Sequence, residues 1–131
     1  MNTLRRFTSQ CPTRTACRTL STKPPEKSLS GITIVSLEQA ISAPFCTRQL
    51  ADLGARVIKI ERPEVGDFAR HYDTRVNGLA SHFIWTNRSK ESLALDLKNP
   101  KDHRVLTHLL HRADVLVQNL APRASATPVI K

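Results

Sequence analysis

The stretch from Ile32 to Pro63 constrains the fold more than any other part of the chain. Ile32, Ile34, Val35 and Leu37 make a short apolar, β-branched run of the kind that forms a buried strand. Pro44 suits the first turn of a helix, where a missing N–H costs no hydrogen bond. Phe45, Cys46, Leu50 and Leu53 then recur at helical spacing and are expected to form the face turned to the core. Gly54 supplies a left-handed helix stop, and Val57, Ile58 and Ile60 a second strand. Strand, helix and strand over about thirty residues make a βαβ unit, for which parallel strands and a right-handed crossover are expected. The second strand ends on a charged pair, Glu61 and Arg62. In open α/β sheets that end is where ligands bind.

The second half reads in the same way. Glu64 to Gly78 is polar and punctuated by glycine, as expected of a loop over the strand ends. Phe83, Ile84 and Trp85 form an apolar patch ahead of Asn87-Arg88-Ser89-Lys90. Leu93, Leu95 and Leu97 alternate with Ala94 and Asp96, the period of a strand. Asn99, Pro100 and Asp102 carry the three marks of a helix start: a capping amide, proline at the first position and an acid in the first turn. Val105, Leu106, Leu109 and Leu110 are its expected buried stripe, and His111 and Arg112 suit the dipole at its end. Val115, Leu116 and Val117 make a fourth strand, running out at Gln118-Asn119. The fold class is therefore α/β, built from Rossmann-like parallel βαβ units.

The formal charge of +9 is distributed unevenly. Residues 1–25 hold five basic residues, eight Ser or Thr and no acid, so the remainder carries only +4. Arginine-rich, hydroxyl-rich and free of acids is the composition of a mitochondrial transit peptide, which places the expected location in the mitochondrial matrix. Lys23-Pro24-Pro25-Glu26-Lys27 then reads as a linker. The remaining Lys and Arg are scattered, with one Trp and one Tyr, which argues against a nucleic-acid surface. No apolar run has the length of a membrane span, so no membrane partner is expected. Two of the three Cys lie in the leader, giving neither a disulfide framework nor a metal pair, and Cys46 is expected to be a small buried residue. His108 and His111 share a helix face but have no acid or Cys nearby, and no metal site is expected.

Several pieces, in order, resemble CoA-transferase family III, the formyl-CoA transferase and carnitine CoA-transferase group. Ser42 to Pro63 is similar to the family's opening signature. Gly66-Asp67 with Arg70 resembles its Gly-Asp-x-x-Arg loop. Asn87-Arg88-Ser89-Lys90-Glu91-Ser92, followed by Leu95-Asp96-Leu97-Lys98, resembles its Asn-Arg-x-Lys-x-Ser and Leu-Asp-Leu-Lys stretch. Ala113 to Asn119 resembles its Ala-Asp-Val-Leu-Val-Glu-Asn strand. The likeness runs from Gly31 to Pro122. It divides the chain into a leader (1–25), a partial CoA-binding α/β domain (26–122), the incomplete N-terminal part of the family fold, and a divergent tail (123–131).

The resemblance implies transfer of coenzyme A between carboxylic acids through an aspartyl thioester, a covalent route that splits one hard step into easier ones. Acyl-CoA and a small carboxylic acid are the implied substrates, with no permanently bound cofactor and a homodimer as the assembly. By matching position, Ile41 and Ser42 lie beside the thioester and Arg62 meets phosphate or adenine. Leu95, Asp96, Leu97 and Lys98 line the adenine site, and Asn119, Leu120 and Ala121 follow the pantetheine arm. CoA carries several phosphate charges, which suit arginine and lysine. The wording Ser36-Leu37-Glu38-Gln39-Ala40 and Gly66 to Asp73 is most similar to members acting on small dicarboxylates, such as itaconate or citramalate with succinyl-CoA, and makes Tyr72 the substrate-contact candidate.

The sequence departs from the family pattern in two places. Ile41 stands where a polar residue is usual, and Thr127 where an arginine is. The family's nucleophilic aspartate lies beyond this chain, so no catalytic residue is assigned and the chain alone is expected to be inactive. The alternative is a catalytically inactive truncated product, or a fragment that binds CoA weakly. A dinucleotide-binding module is the structural rival, but Glu38 to Pro44 holds no glycine for pyrophosphate to approach.

Overall fold

A computed structural model describes residues 26–120. Eight elements follow in order: β1 (Thr33–Leu37), α1 (Ser42–Asp52), β2 (Arg56–Glu61), a 3₁₀ turn (Phe68–His71), α2 (Ser81–Asn87), β3 (Lys90–Ala94), α3 (Pro100–Leu110) and β4 (Val115–Gln118). The four strands form one sheet in the order β3-β2-β1-β4. All three pairings are parallel, with Val35 opposite Ile58 and Leu116, and Ile60 opposite Leu93. The chain thus builds outward from β1 to β3, and then α3 carries it across to the far edge.

Alternation along the strands divides the core in two. Val35, Leu37, Ile58 and Ile60 pack with Leu95 and with Leu106 of α3. Ile34 and Val57 face the other way, onto Ala51 and Ala55 at the end of α1. Helix α1 closes at Gly54, whose φ of +104° favours glycine and whose N–H donates to the Ala51 carbonyl at 3.0 Å. A Cβ there would sit 2.6 Å from the Cβ of Lys27.

The expected core face of α1 is corrected. The buried residues are Ala43, Pro44, Thr47 and Ala51, whereas Phe45, Cys46 and Leu53 are exposed. Small side chains let the helix lie close on the sheet, and Phe45 instead stacks on Trp85 at a centroid distance of 5.3 Å. Cys46 is accordingly not the buried residue expected. The stripe of α3 is narrower than expected too: Leu106 is fully buried, Leu109 and Leu110 partly, and Val105 is exposed.

Two further differences concern the middle of the chain. Phe83, Ile84 and Trp85 lie within helix α2. Strand β3 begins at Lys90 and ends before Leu95, so its first residues are polar. It is an edge strand, and Glu91 reaches the neighbouring Arg56 with both oxygens, at 2.7 and 2.8 Å. The helix start at Asn99 is as expected, with its side chain accepting from the Lys101 N–H at 2.9 Å. No helix among the described residues is long and apolar enough to cross a membrane. Residues 1–25 and 121–131, which include the expected leader, the divergent tail and Ala121, lie outside the described residues.

Candidate functional site

A cleft of about 390 Å³ opens at the carboxyl ends of the strands, lined by residues that follow all four. Leu37, Ile60, Leu95, Leu97 and Leu120 supply apolar walls, and Glu38, Gln39, Glu61, Arg62, Asp96 and Lys98 supply the polar groups. Arg62 follows β2 and Lys98 follows the adjacent β3. Both are exposed, and neither side chain makes a hydrogen bond or ion pair with another described residue.

The acids of the cleft are occupied. Glu61 is held by the Arg70 guanidinium through both oxygens, at 2.8 to 3.1 Å. Asp96 folds back onto its own loop and accepts from the Lys98 N–H at 3.0 Å. Glu38, 2 % exposed, accepts from Lys90 and from Thr47, both at 2.6 Å. Arg62 and Lys98 are therefore the charges left to meet a ligand, and the cleft suits an anion joined to an apolar body.

Behind one wall lies a buried ionic network that the sequence reading missed. Lys59 and Glu61 sit two residues apart on β2 and so share a face. Lys59 Nζ is 2.6 Å from Asp67 Oδ2 and 2.8 Å from Asn87 Oδ1. Lys90 Nζ meets Glu38 Oε1 at 2.6 Å and the Pro44 carbonyl at 2.8 Å. Two buried ammonium groups thus face two buried carboxylates. Burial pushes Asp67 up, but the Lys59 ammonium and the Ala69 and Ala40 N–H groups outweigh it and hold the carboxyl below its usual range. Lys90 goes the other way: burial lowers its pKa more than Glu38 restores it. The Lys59–Asp67 contact spans 8 residues and the Lys90–Glu38 contact 52, so no local sequence signal marks the network as a whole.

The other candidates are distributed around this centre. Leu95 to Lys98 and Leu120 line the cleft. Asn119 stands just behind it, where its amide donates to the Gln39 carbonyl and accepts from the Gln39 N–H, both at 2.9 Å. Ile41 caps α1 and Ser42 opens it; both are exposed and neither is among the lining residues. Tyr72 ends the 3₁₀ turn and lies against Phe68 and His82, also outside the lining. Among the described residues no His, Cys, Asp or Glu cluster has a metal-binding arrangement.

Comparison with known proteins decides the family. The sequence profile of CoA-transferase family III matches residues 29–127. The chain belongs to that family. It is 44 % identical over 97 residues to formyl-CoA:oxalate CoA-transferase of Bradyrhizobium diazoefficiens, covering 73 % of this chain and 23 % of the relative. It is 40 % identical over 97 residues to mouse succinyl-CoA:glutarate CoA-transferase, covering 73 % of this chain and 22 % of the relative. The fold agrees. A CAIB/BAIF family protein from Brucella suis superposes with a TM-score of 0.66 at 32 % identity, covering 72 % of this chain and 26 % of that one. A hypothetical protein of Mycobacterium tuberculosis gives a TM-score of 0.71 at 33 % identity, over 77 % and 28 %. The chain spans about a quarter of the length of the curated relatives it matches.

All six aspartates of this family III chain lie among the described residues, and each is already engaged. Asp52 pairs with Arg88, Asp67 with Lys59, and Asp73 accepts from Ser81. Asp96, Asp102 and Asp114 accept from the backbone N–H groups of Lys98, Asp96 and Thr33. These are structural duties.

Proposed function

We infer that this chain forms the CoA-binding part of a transferase that moves coenzyme A between an acyl-CoA and a small dicarboxylic acid, with succinyl-CoA as the donor. The observation that carries the reading is the cleft: two unengaged cations, Arg62 and Lys98, at adjacent strand tips above apolar walls. The cations answer the phosphates of CoA, with Arg62 suited to bidentate contact. Leu95 and Leu97 cover the adenine, Asp96 fixes their loop, and Leu120 together with Asn119 and Ala121 follows the pantetheine arm. Ile41 and Ser42 stand next along that path, toward the thioester. Tyr72 is the candidate for contact with the acid.

The names of the relatives favour a dicarboxylate, since oxalate and glutarate both appear among them. The acid-free leader favours import into the mitochondrial matrix, where a succinyl-CoA donor is at hand. The whole enzyme is read as a homodimer. None of the six engaged aspartates is given the covalent role. The chain's contribution is to bind and orient the thioester, which lowers the entropic part of the barrier.

Calorimetric titration of CoA and dephospho-CoA into the chain tests the binding role. Saturable binding, weakened by removing the 3′-phosphate, is expected; no saturation at millimolar CoA would remove the reading. A transfer assay on the whole enzyme, with succinyl-CoA and a panel of mono- and dicarboxylates, tests the substrate class. Preference for a monocarboxylate would overturn it.

A further inference from the structure

We propose that Asp67, held in place by Lys59, is a positioning residue that sets the wall of the cleft by locking Ala40 in a left-handed conformation. The proposal rests on the CoA reading for its functional consequence, though not for its geometry. Glu38 and Gln39 line the cleft, and Ala40 is the next residue. Its φ of +64° is one that a residue with a Cβ seldom adopts without help. The help is visible. The Ala40 N–H donates to Asp67 Oδ1 at 3.1 Å, and the Ala69 N–H donates to the same oxygen at 2.9 Å.

The other oxygen, Oδ2, takes the Lys59 ammonium at 2.6 Å. Asp67 and Lys59 are each 1 % exposed, so water does not compete for these contacts. From the opposite side, Asn119 grips both the N–H and the carbonyl of Gln39 at 2.9 Å. The wall residue is therefore clamped between β4 and the Gly66-Asp67 loop. A carboxylate is required for the Asp67 side. It offers one oxygen to an ammonium and another to two N–H groups, whereas an amide must turn its own NH₂ toward one or the other. Glutamate would add a methylene at a position only 1 % exposed.

The test uses three variants of the whole chain: Asp67→Asn, Asp67→Asn with Ala40→Gly, and Ala40→Val. Two readouts are taken, the hydrogen-exchange rate of the residue 40 amide without ligand and the affinity for CoA, at a temperature where each variant is folded. Asp67→Asn is expected to speed exchange at residue 40 more than tenfold and to weaken CoA binding at least fivefold. Adding Ala40→Gly, which occupies a positive φ without strain, is expected to recover at least half of the lost affinity on a logarithmic scale. A role confined to holding the fold together gives no such recovery.

Ala40→Val keeps the ion pair intact and carries the test if Asp67→Asn does not fold. Weaker CoA binding supports the proposal, and affinity equal to the unsubstituted chain overturns it. Unchanged exchange at residue 40 in Asp67→Asn also overturns it. If the unsubstituted chain does not bind CoA, the transferase reading falls, and the exchange rate alone decides whether Asp67 holds the loop.

Discussion

The guanidinium of Arg70 grips both carboxylate oxygens of Glu61 directly beneath the backbone of Gly66. This contact brings the loop after β2 back onto the strand end from which Arg62 emerges. The Gly66 N–H closes the turn on the Arg62 carbonyl at 3.0 Å. Gly66 has φ +65°, and a Cβ on it would lie 2.8 Å from both Arg70 Nε and Glu61 Oε2. Gly66→Ala is therefore expected to cost about 1–2 kcal/mol for the left-handed backbone, with a further loss as the ion pair is forced apart. Urea unfolding checks this. A midpoint unchanged from the unsubstituted chain would show that the turn relaxes freely.

Two ion pairs that join β2 and β3 to their surroundings should respond very differently to mutation. Arg56 and Glu91 are matched at 2.7 Å but are 61 % and 55 % exposed, so Arg56→Ala is expected to leave the unfolding midpoint almost unmoved. Lys90 and Glu38 meet at 2.6 Å with their side chains 2 % and 0 % exposed. Lys90→Met would leave the buried Glu38 carboxylate only the Thr47 hydroxyl at 2.6 Å and the Lys59 ammonium at 4.0 Å, at a cost of about 3 kcal/mol, the lower end for breaking a buried pair. Paired denaturant curves settle the order. Equal losses would mean that water reaches the Lys90 site.

This contrast also explains what the sequence could and could not disclose. β-branched runs with a glycine between them announce β1, α1 and β2, and Asn99-Pro100 announces α3, because those signals are local. The strand-end position of Arg62 follows from the same pattern, whereas the alternation of Leu93, Leu95 and Leu97 extended the third strand too far, and Leu95 to Lys98 lie beyond its end at Ala94. The partners of Lys59 and Lys90 do not follow from that pattern, since Lys59 finds Asp67 across a loop 8 residues on and Asn87 28 residues away, and Lys90 finds Glu38 52 residues away. A lysine inside an apolar strand gives no sign of which acid will neutralise it. Helix α2 was obscured for a related reason: Ala80 precedes it without a capping side chain, and the cap arrives from Asp73, eight residues before Ser81. The true face of α1 was hidden because its large residues, Phe45 and Leu53, are on the outside.

Arg62→Ala and Lys98→Ala are each expected to weaken CoA binding about tenfold, near the lower end for a charge-assisted hydrogen bond because both side chains are exposed. Salt gives the sharper measurement. Screening lengths shorten to about 8 Å at physiological ionic strength, so affinity in the unsubstituted chain should fall as salt rises. That fall should be nearly flat in the double variant. A double variant that retains the full salt dependence would place the phosphates elsewhere.

Asp73 offers a titration that isolates the loop over the strand ends. Its carboxylate accepts from the Ser81 N–H at 2.9 Å, the Ser81 hydroxyl at 2.8 Å and the Arg75 N–H at 3.0 Å, and these bonds lower its pKa to about 2. An unfolded chain would bind a proton at Asp73 near pH 3.9, roughly the ordinary aspartate value. The folded state thus holds fewer protons between the two values, and stability rises with pH across that window. The contribution of Asp73 is present in full above about pH 4 and is lost as pH falls through about 2. Trp85, the one tryptophan of the chain, lies on the helix that Asp73 caps and reports its opening by fluorescence. Asp73→Asn should be less stable than the unsubstituted chain at neutral pH by an amount that stays level down to about pH 4 and then shrinks toward pH 2. A difference that does not change with pH would show that Asp73 acts here through packing rather than through its charge.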